Sequence, residues 1–275
     1  MAHSLSERQE RYELDYDYTI LNRVPVIIRI TIRNYKKLIQ QLDAPFCSDF
    51  YDIMSQTMLF TITSIPDAVL GYYHNDEITF VLKNDHDYDS VPWHGNNIQK
   101  IVSTVASLVT LGYYKSVDLF NDNLDLGEAI FSVKAFAVPS IIESFNNLIW
   151  RQGICVKNAI NNASLSELTD KLGSASAASL LKNKDYNEKT ELLLQHCGKN
   201  IRDDYPIPFL RGVGVYKIPI IVSTRNGSAN RNRWYVDREL PNFVEGKDFI
   251  LNILNTGLDI YRGPDVLLDK EKDEY

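Results

Sequence analysis

The apolar positions of this chain change period several times, and each change marks an element. Residues 24–31 are a β-branched run with the look of a buried central strand. Tyr35, Leu38, Ile39 and Leu42 then recur at three- and four-residue spacing, which predicts a helix over 35–42. Pro45 breaks that pattern. Ser48 can cap the next helix, about 49–63, with Phe50, Ile53, Met54 and Met58 along one face. Two short apolar runs, 68–73 and 78–82, flank a polar tip at His74 to Glu77 and predict a hairpin. After an Asp-bearing loop at 84–92, a long helix is expected over 97–113, with Ile101, Val105, Leu108 and Val109 inward. Strand character returns at 129–137.

The order strand, two helices, two strands, helix, strand predicts an α+β fold: an antiparallel-leaning sheet with helices on one face. A short helix at 5–12 precedes it. Pro139 opens a further helix through Trp150. Beyond, the pattern is mostly helical, about 151–162, 165–171, 176–182 and 187–197, with Ser164 and Ser166 as caps and Gly198 as a stop. A late strand at 213–222 and a hairpin-type turn at 226–230 lead into Arg233-Trp234-Tyr235-Val236-Asp237. Two portions are expected, a core over 1–140 and a helical portion over 141–275 whose late strands complete the same compact unit.

Composition narrows the class. At 275 residues and 44% hydrophobic the chain can bury a full core. No apolar run approaches the roughly 18 residues of a membrane helix, and the start turns charged at Glu7 and Arg8, unlike a signal peptide. Cys47, Cys155 and Cys197 are odd in number and far apart, which suggests neither a disulfide framework nor a zinc cluster and points to a reducing, cytoplasmic setting. The formal charge of −7 argues against a generally basic nucleic-acid surface. RNA contact would have to come from a local cluster of Lys and Arg. Part of the acidity is in the tail at 269–274.

The most informative chemistry is the hairpin tip. Adjacent carboxylates, Asp76 and Glu77, between two short strands and beside the end of a central strand, are how a polymerase-type palm presents metal-binding oxygens. A two-metal phosphoryl-transfer site also needs an acid at the end of the upstream strand. Thr31 stands there. Arg29, flanked by Ile28 and Ile30, is a charge inside an apolar strand and wants an anionic partner, a structural carboxylate or a nucleotide phosphate. Trp150 is expected in the core, and His74 and His94 at the surface or in loops. A solvated hairpin is expected around Arg225, Arg231 and Arg233.

Taken in order, these segments resemble the tRNA(His) guanylyltransferases and their bacterial, archaeal and viral relatives over roughly 5–245. Pro25 to Tyr35, PVIIRITIRNY, is similar to the family's PVIIRIDGRxF strand. Ala44-Pro45-Phe46-Cys47 falls where KPFD is usual, and YHNDEITF at 73–80 where YxQSDEISF is. Asn97 to Ser107 resembles the GRxQKxxSxxAS helix, and Phe131 to Phe136 falls on FDSRVF. Trp150-Arg151-Gln152 with Lys157-Asn158-Ala159 resembles WRQxDxxRNA, the most specific of the set. The resemblance implies a palm related to those of nucleotide cyclases, assembled as dimers or tetramers. It also implies addition of a nucleotide, GMP from GTP, to the 5′ end of a tRNA or tRNA-like RNA. There the 5′ phosphate is activated with GTP or ATP and then attacked by a 3′-hydroxyl. Two Mg²⁺ held between two aspartates clamp the attacking and leaving oxygens in such chemistry.

On this chain the resemblance implies Asp76, with Glu77 in support, as the acidic pair. It implies Arg29, Arg33, Asn34, Tyr35, Asn75 and Lys100 around the nucleotide, and Arg151, Lys157 and Asn158 positioning RNA or triphosphate. The other metal aspartate falls on Thr31 and the glycine whose carbonyl assists on Ile32. Thr supplies only a neutral oxygen to a hard cation. Ala44 and Cys47 replace the Lys and Asp of KPFD, Ser132 and Lys134 replace Asp and Arg, and Ile154 replaces the aspartate after WRQ. Two readings follow: a nucleotidyltransferase with impaired or altered chemistry, or a silenced relative that binds nucleotide or RNA as a scaffold or regulator, for instance by mixed assembly with an active relative. The chain would act in the cytoplasm, or in a host cytoplasm if virus-encoded.

Overall fold

The computed structural model describes residues 4–40, 42–84, 89–120, 126, 128–224 and 227–260, with only the backbone over 222–224 and 227–228. Arg225, Asn226 at the start of the expected turn, and the acidic tail at 269–274 lie outside the described residues.

Among the described residues six antiparallel strands form one sheet: β1 (Val26–Ile32), β2 (Ala68–His74), β3 (Glu77–Leu82), β4 (Phe131–Ala137), β5 (Val213–Thr224) and β6 (Gly227–Asp237), in spatial order β4-β1-β3-β2-β5-β6. The α+β class and the expected element order are borne out. Alternation along the strands separates two faces. Val26, Ile28, Ile30 and Ile32 of β1, with Ile78, Phe80 and Leu82 of β3, bury against α3 (Ser48–Thr63) and α4 (Ile98–Phe120). From β2 and β5, Leu70, Tyr72, Tyr216 and Ile218 point the other way, onto Phe145 and Leu148 of α5 (Ile141–Leu172) and Ile250, Ile253 and Leu254 of α9 (Lys247–Thr256). The helical face expected from the sequence is therefore α3 and α4, and the carboxyl-terminal portion adds helices to the opposite face.

One helix is longer than its pattern predicts. The segments expected at 139–150, 151–162 and 165–171 merge into a single helix, α5, which starts at Ile141. Ser164, expected as a cap, is fully buried within it, and its hydroxyl donates to the Lys189 carbonyl at 3.3 Å on α7 (Tyr186–Cys197). A packed serine satisfied by a neighbouring helix has no need to end its own. Ser48 likewise lies inside α3, whose N-cap position is Cys47. The stop at Gly198 is where it was expected, with left-handed φ of 70°. No described helix is long and apolar enough to cross a membrane.

Candidate active site

The site is built where β1 ends against the β2–β3 hairpin. His74 pairs with Glu77, leaving Asn75 and Asp76 as a two-residue turn. Asn75 takes φ +48°, a left-handed conformation that Asn tolerates better than most side chains. Thr31 is the register partner of Glu77 on one side and of Ser132 on the other. The Ile32 N–H donates to the Asp76 carbonyl at 2.8 Å. The half-exposed Thr31 thus lies beside the acidic pair, as the sequence argument requires.

The two carboxylates have different surroundings. Asp76 is half-exposed at the turn. Burial pushes its pKa above the ordinary value; its own backbone N–H, His74 and Arg29 oppose the rise, and Glu77 adds to it. Glu77 is 3% exposed and held by cations. Arg29 Nε donates to its Oε2. Arg151 places Nε 3.1 Å from Oε1, off the alignment a hydrogen bond needs, and donates from Nη1 to Oε2 at 3.4 Å. His74 Nε2 stands 3.7 Å from Oε1. Burial by itself would raise the Glu77 pKa; His74, Arg151 and Arg29 together hold it below the ordinary value. Two arginines on different elements thereby converge on one desolvated carboxylate.

Around the tip, Asn34 closes the turn after β1: its Nδ2 donates to the Glu128 carbonyl at 2.5 Å and its Oδ1 accepts the Ile130 N–H at 3.0 Å. Arg33 is exposed beside it. Tyr35 opens α2 (Tyr35–Ile39), and its phenol is pushed up by burial and then by the Asp76 charge. Tyr35 and Asn75 also line a cleft of about 390 Å³, with Phe46, Phe50 and Tyr51 on one wall and Asn162, Leu165 and Ser166 of α5 on the other. Ala44 and Cys47, at the positions of the family's KPFD loop, are in its rim.

The structure brings together Thr31, Ile32, Arg29, Arg33, Asn34, Tyr35, Asn75, Asp76, Glu77 and Arg151. Lys157 and Asn158 lie further along α5, Lys157 exposed with its ammonium 5.5 Å from the Tyr186 ring centre. Lys100 does not join the group. It sits in the first turn of α4, where the Asn97 side chain accepts its N–H and residues 17–22 pack. That is the end of β1 remote from the hairpin tip. Ile32, expected to offer a carbonyl, has its side chain in the core at 3% exposed.

Two expectations are corrected. His74 is buried, 2% exposed, because the tyrosine two residues back gives its ring a partner (centroids 5.4 Å apart) and Glu77 gives its nitrogen a charge. Trp150 is 57% exposed, since α5 turns Arg151 and Gln152 inward and the preceding residue outward. The signal for His74 was available in its strand alternation: it shares a face with Tyr72 and is register partner to Glu77.

Fold and tip geometry thus define a palm-type protein with an acidic hairpin. A family model for tRNA-His guanylyltransferase matches residues 6–139. The chain is 24% identical over 224 residues to the tRNA(His) guanylyltransferase of Neurospora crassa, covering 79% of this chain and 74% of that one. It is also 24% identical over 211 residues to tRNA(His) guanylyltransferase 2 of Arabidopsis thaliana, covering 75% of this chain but only 37% of that longer protein. A bacterial tRNA(HIS) guanylyltransferase (Thg1)-like protein in complex with ATP superposes with a TM-score of 0.76 at 25% identity, over 91% of this chain and 99% of that one. Its complex with GTP gives 0.69, with 25% identity over 92% and 99%. The Saccharomyces cerevisiae protein shares the fold, with a TM-score of 0.64 at 20% identity over 78% and 91%. Together these findings support assigning the chain to the tRNA(His) guanylyltransferase family, the kinship its motifs imply.

Proposed function

We propose that this chain is a nucleotidyltransferase of tRNA(His) guanylyltransferase type with attenuated chemistry. It would bind a nucleoside triphosphate, GTP or ATP, beside the hairpin tip and act on the 5′ end of a tRNA or tRNA-like RNA. The observation that carries the reading is the register of Thr31 against Glu77, with Ile32 bonded to Asp76. The supporting frame is complete where the second carboxylate is missing. The aromatic cleft, which Asn75 and Tyr35 join to the tip, suits a nucleobase, with the triphosphate extending toward Arg33 and Asn34.

The donor set does not fit a pair of Mg²⁺ ions. Glu77 is engaged by Arg29, Arg151 and His74, Thr31 is neutral, and no cluster of three ligating side chains occurs among the described residues. What remains suits a single Mg²⁺ held by Asp76 and completed by phosphates and water, where its chemistry is neutralisation of phosphate charge. In this reading Asp76 is the metal-facing acid. Glu77 is a positioning residue that ties α5 to the hairpin through Arg151. The second reading, a silenced binding or regulatory protein, is favoured by the same engaged Glu77. Dimeric or tetrameric assembly belongs to either reading.

The test is Mg²⁺-dependent incorporation of labelled GTP into 5′-monophosphorylated and 5′-triphosphorylated tRNA by the wild type, Asp76→Ala and Thr31→Asp. Slow incorporation that Asp76→Ala abolishes and Thr31→Asp raises at least tenfold supports the enzyme. Incorporation by the wild type no greater than by Asp76→Ala, with triphosphate and tRNA still bound, would leave the silenced reading standing. Thr31→Asp is preferable to a change at Ile32, whose side chain packs in the core.

A further inference from the structure

Trp150 occupies an unusual place. The Arg151 guanidinium carbon lies 3.9 Å from the centre of its ring, and that same guanidinium reaches Glu77 beneath the hairpin tip. One ring face is therefore covered by a cation that ends at the candidate site. With 57% of the residue exposed, the other face is open to solvent. Large aromatic surface is costly to leave in water when nothing requires it.

One turn further on stands Gly153, in the interior of a 32-residue helix. Its backbone needs no special conformation, and a Cβ built there meets nothing within 4 Å. Glycine costs a helix interior about as much as any residue but proline, so the fold gains nothing from it. The bare backbone leaves open space one turn along the helix from Trp150. The surroundings are basic although the chain is acidic: Arg29 and Lys134 are register partners on the same sheet face, Arg151 lies under the ring, and Lys157 is exposed two turns along α5. Asp76 and Glu77 offset two of these four charges and Glu143, two turns back on α5, a third, so the balance stays positive.

We infer that Trp150 is a stacking platform for an unpaired base of the RNA substrate, with Gly153 giving the nucleotide room against the helix. The inference rests on the RNA-binding reading proposed above. Bases stack on such rings whatever their identity, while neighbouring cations take the phosphates. The platform adds affinity and orientation next to the hairpin tip and carries no sequence readout.

Binding of a tRNA transcript bearing a 5′ monophosphate is measured against salt for the wild type, Trp150→Ala, Trp150→Phe, Gly153→Gln and Lys157→Ala. Trp150→Ala should weaken binding roughly tenfold with an unchanged salt slope, and Trp150→Phe should restore most of it. Gly153→Gln should bind RNA more weakly while melting at a higher temperature. Lys157→Ala should lower the salt slope by about one. The part of the tryptophan emission that Trp150→Phe removes should be quenched by RNA. Unchanged affinity in Trp150→Ala or Gly153→Gln, or no RNA-dependent quenching of that emission, overturns the platform and leaves salt-dependent RNA binding by the wild type in place. A loss that accompanies a drop in oligomeric mass makes Trp150 a contact between copies and also overturns it. No RNA binding by the wild type overturns the platform and the underlying reading together.

Discussion

At the scale of single residues, the acidic pair shows that neighbouring carboxylates need not share a role. Asp76 is half-exposed on the turn, while Glu77 is enclosed by Arg29, Arg151 and His74. Removing one member of a buried ionic cluster strands the others, typically at about 3–5 kcal/mol. Glu77→Gln is therefore expected to lower the unfolding free energy in urea at pH 7 by an amount of that order, by stranding the buried Arg151. Acid should erase the difference. The folded Glu77 carboxyl titrates below its ordinary value of 4.5, so its stabilisation is whole above about that pH. It is lost as the pH falls through the lower folded value. Urea titrations at pH 7, 5 and 3 check this; a wild-type advantage that persists undiminished at pH 3 contradicts it.

At the scale of elements, two glycines have opposite expectations. Gly153 lies in α5 with open space about it, so Gly153→Ala should stabilise the protein by about 1 kcal/mol. Gly212, between α8 (Ile207–Arg211) and β5, has φ +79°, and a Cβ there would come 2.5 Å from the Tyr73 carbonyl oxygen. Gly212→Ala should cost about 2 kcal/mol or more, from left-handed strain and displacement of the strand it approaches. Thermal melts of the two variants decide both. The approach matters to the site, because Tyr73 precedes His74 and the Tyr72 hydroxyl donates to the Arg211 carbonyl at 2.9 Å. The carboxyl-terminal portion thus braces the strand that carries the hairpin.

At the scale of the whole molecule, the family match ends at residue 139, but the sheet does not. β5 pairs with β2 from Leu70 to Tyr73, and α5 and α9 cover Leu70, Tyr72 and Val81. A fragment of residues 1–140 would expose that face and the β2 edge, and Glu77 would lose Arg151. It is expected to lack near-UV circular dichroism and dispersed amide resonances. A fragment with a cooperative melt would show that the first portion is an independent domain.

Much of this was legible in the chain itself. Alternation and β-branching placed β1 and the β2–β3 hairpin, because those periods follow from backbone geometry alone, and motif order indicated the family. The positions of Thr31 and Asp76 at adjacent strand ends followed from hairpin logic. Tertiary structure decided what local pattern cannot hold. Arg29 and Arg151, 122 positions apart in the chain, meet on one carboxylate, and the second sheet face is closed by helices from the other half. Trp150 points outward while its neighbour points in, since a helix reveals its buried side only when the surface it packs on is known. Lys100, motif-matched to the site, lies at the far end of the strand, because sequence order along a helix says nothing of which end meets the chemistry.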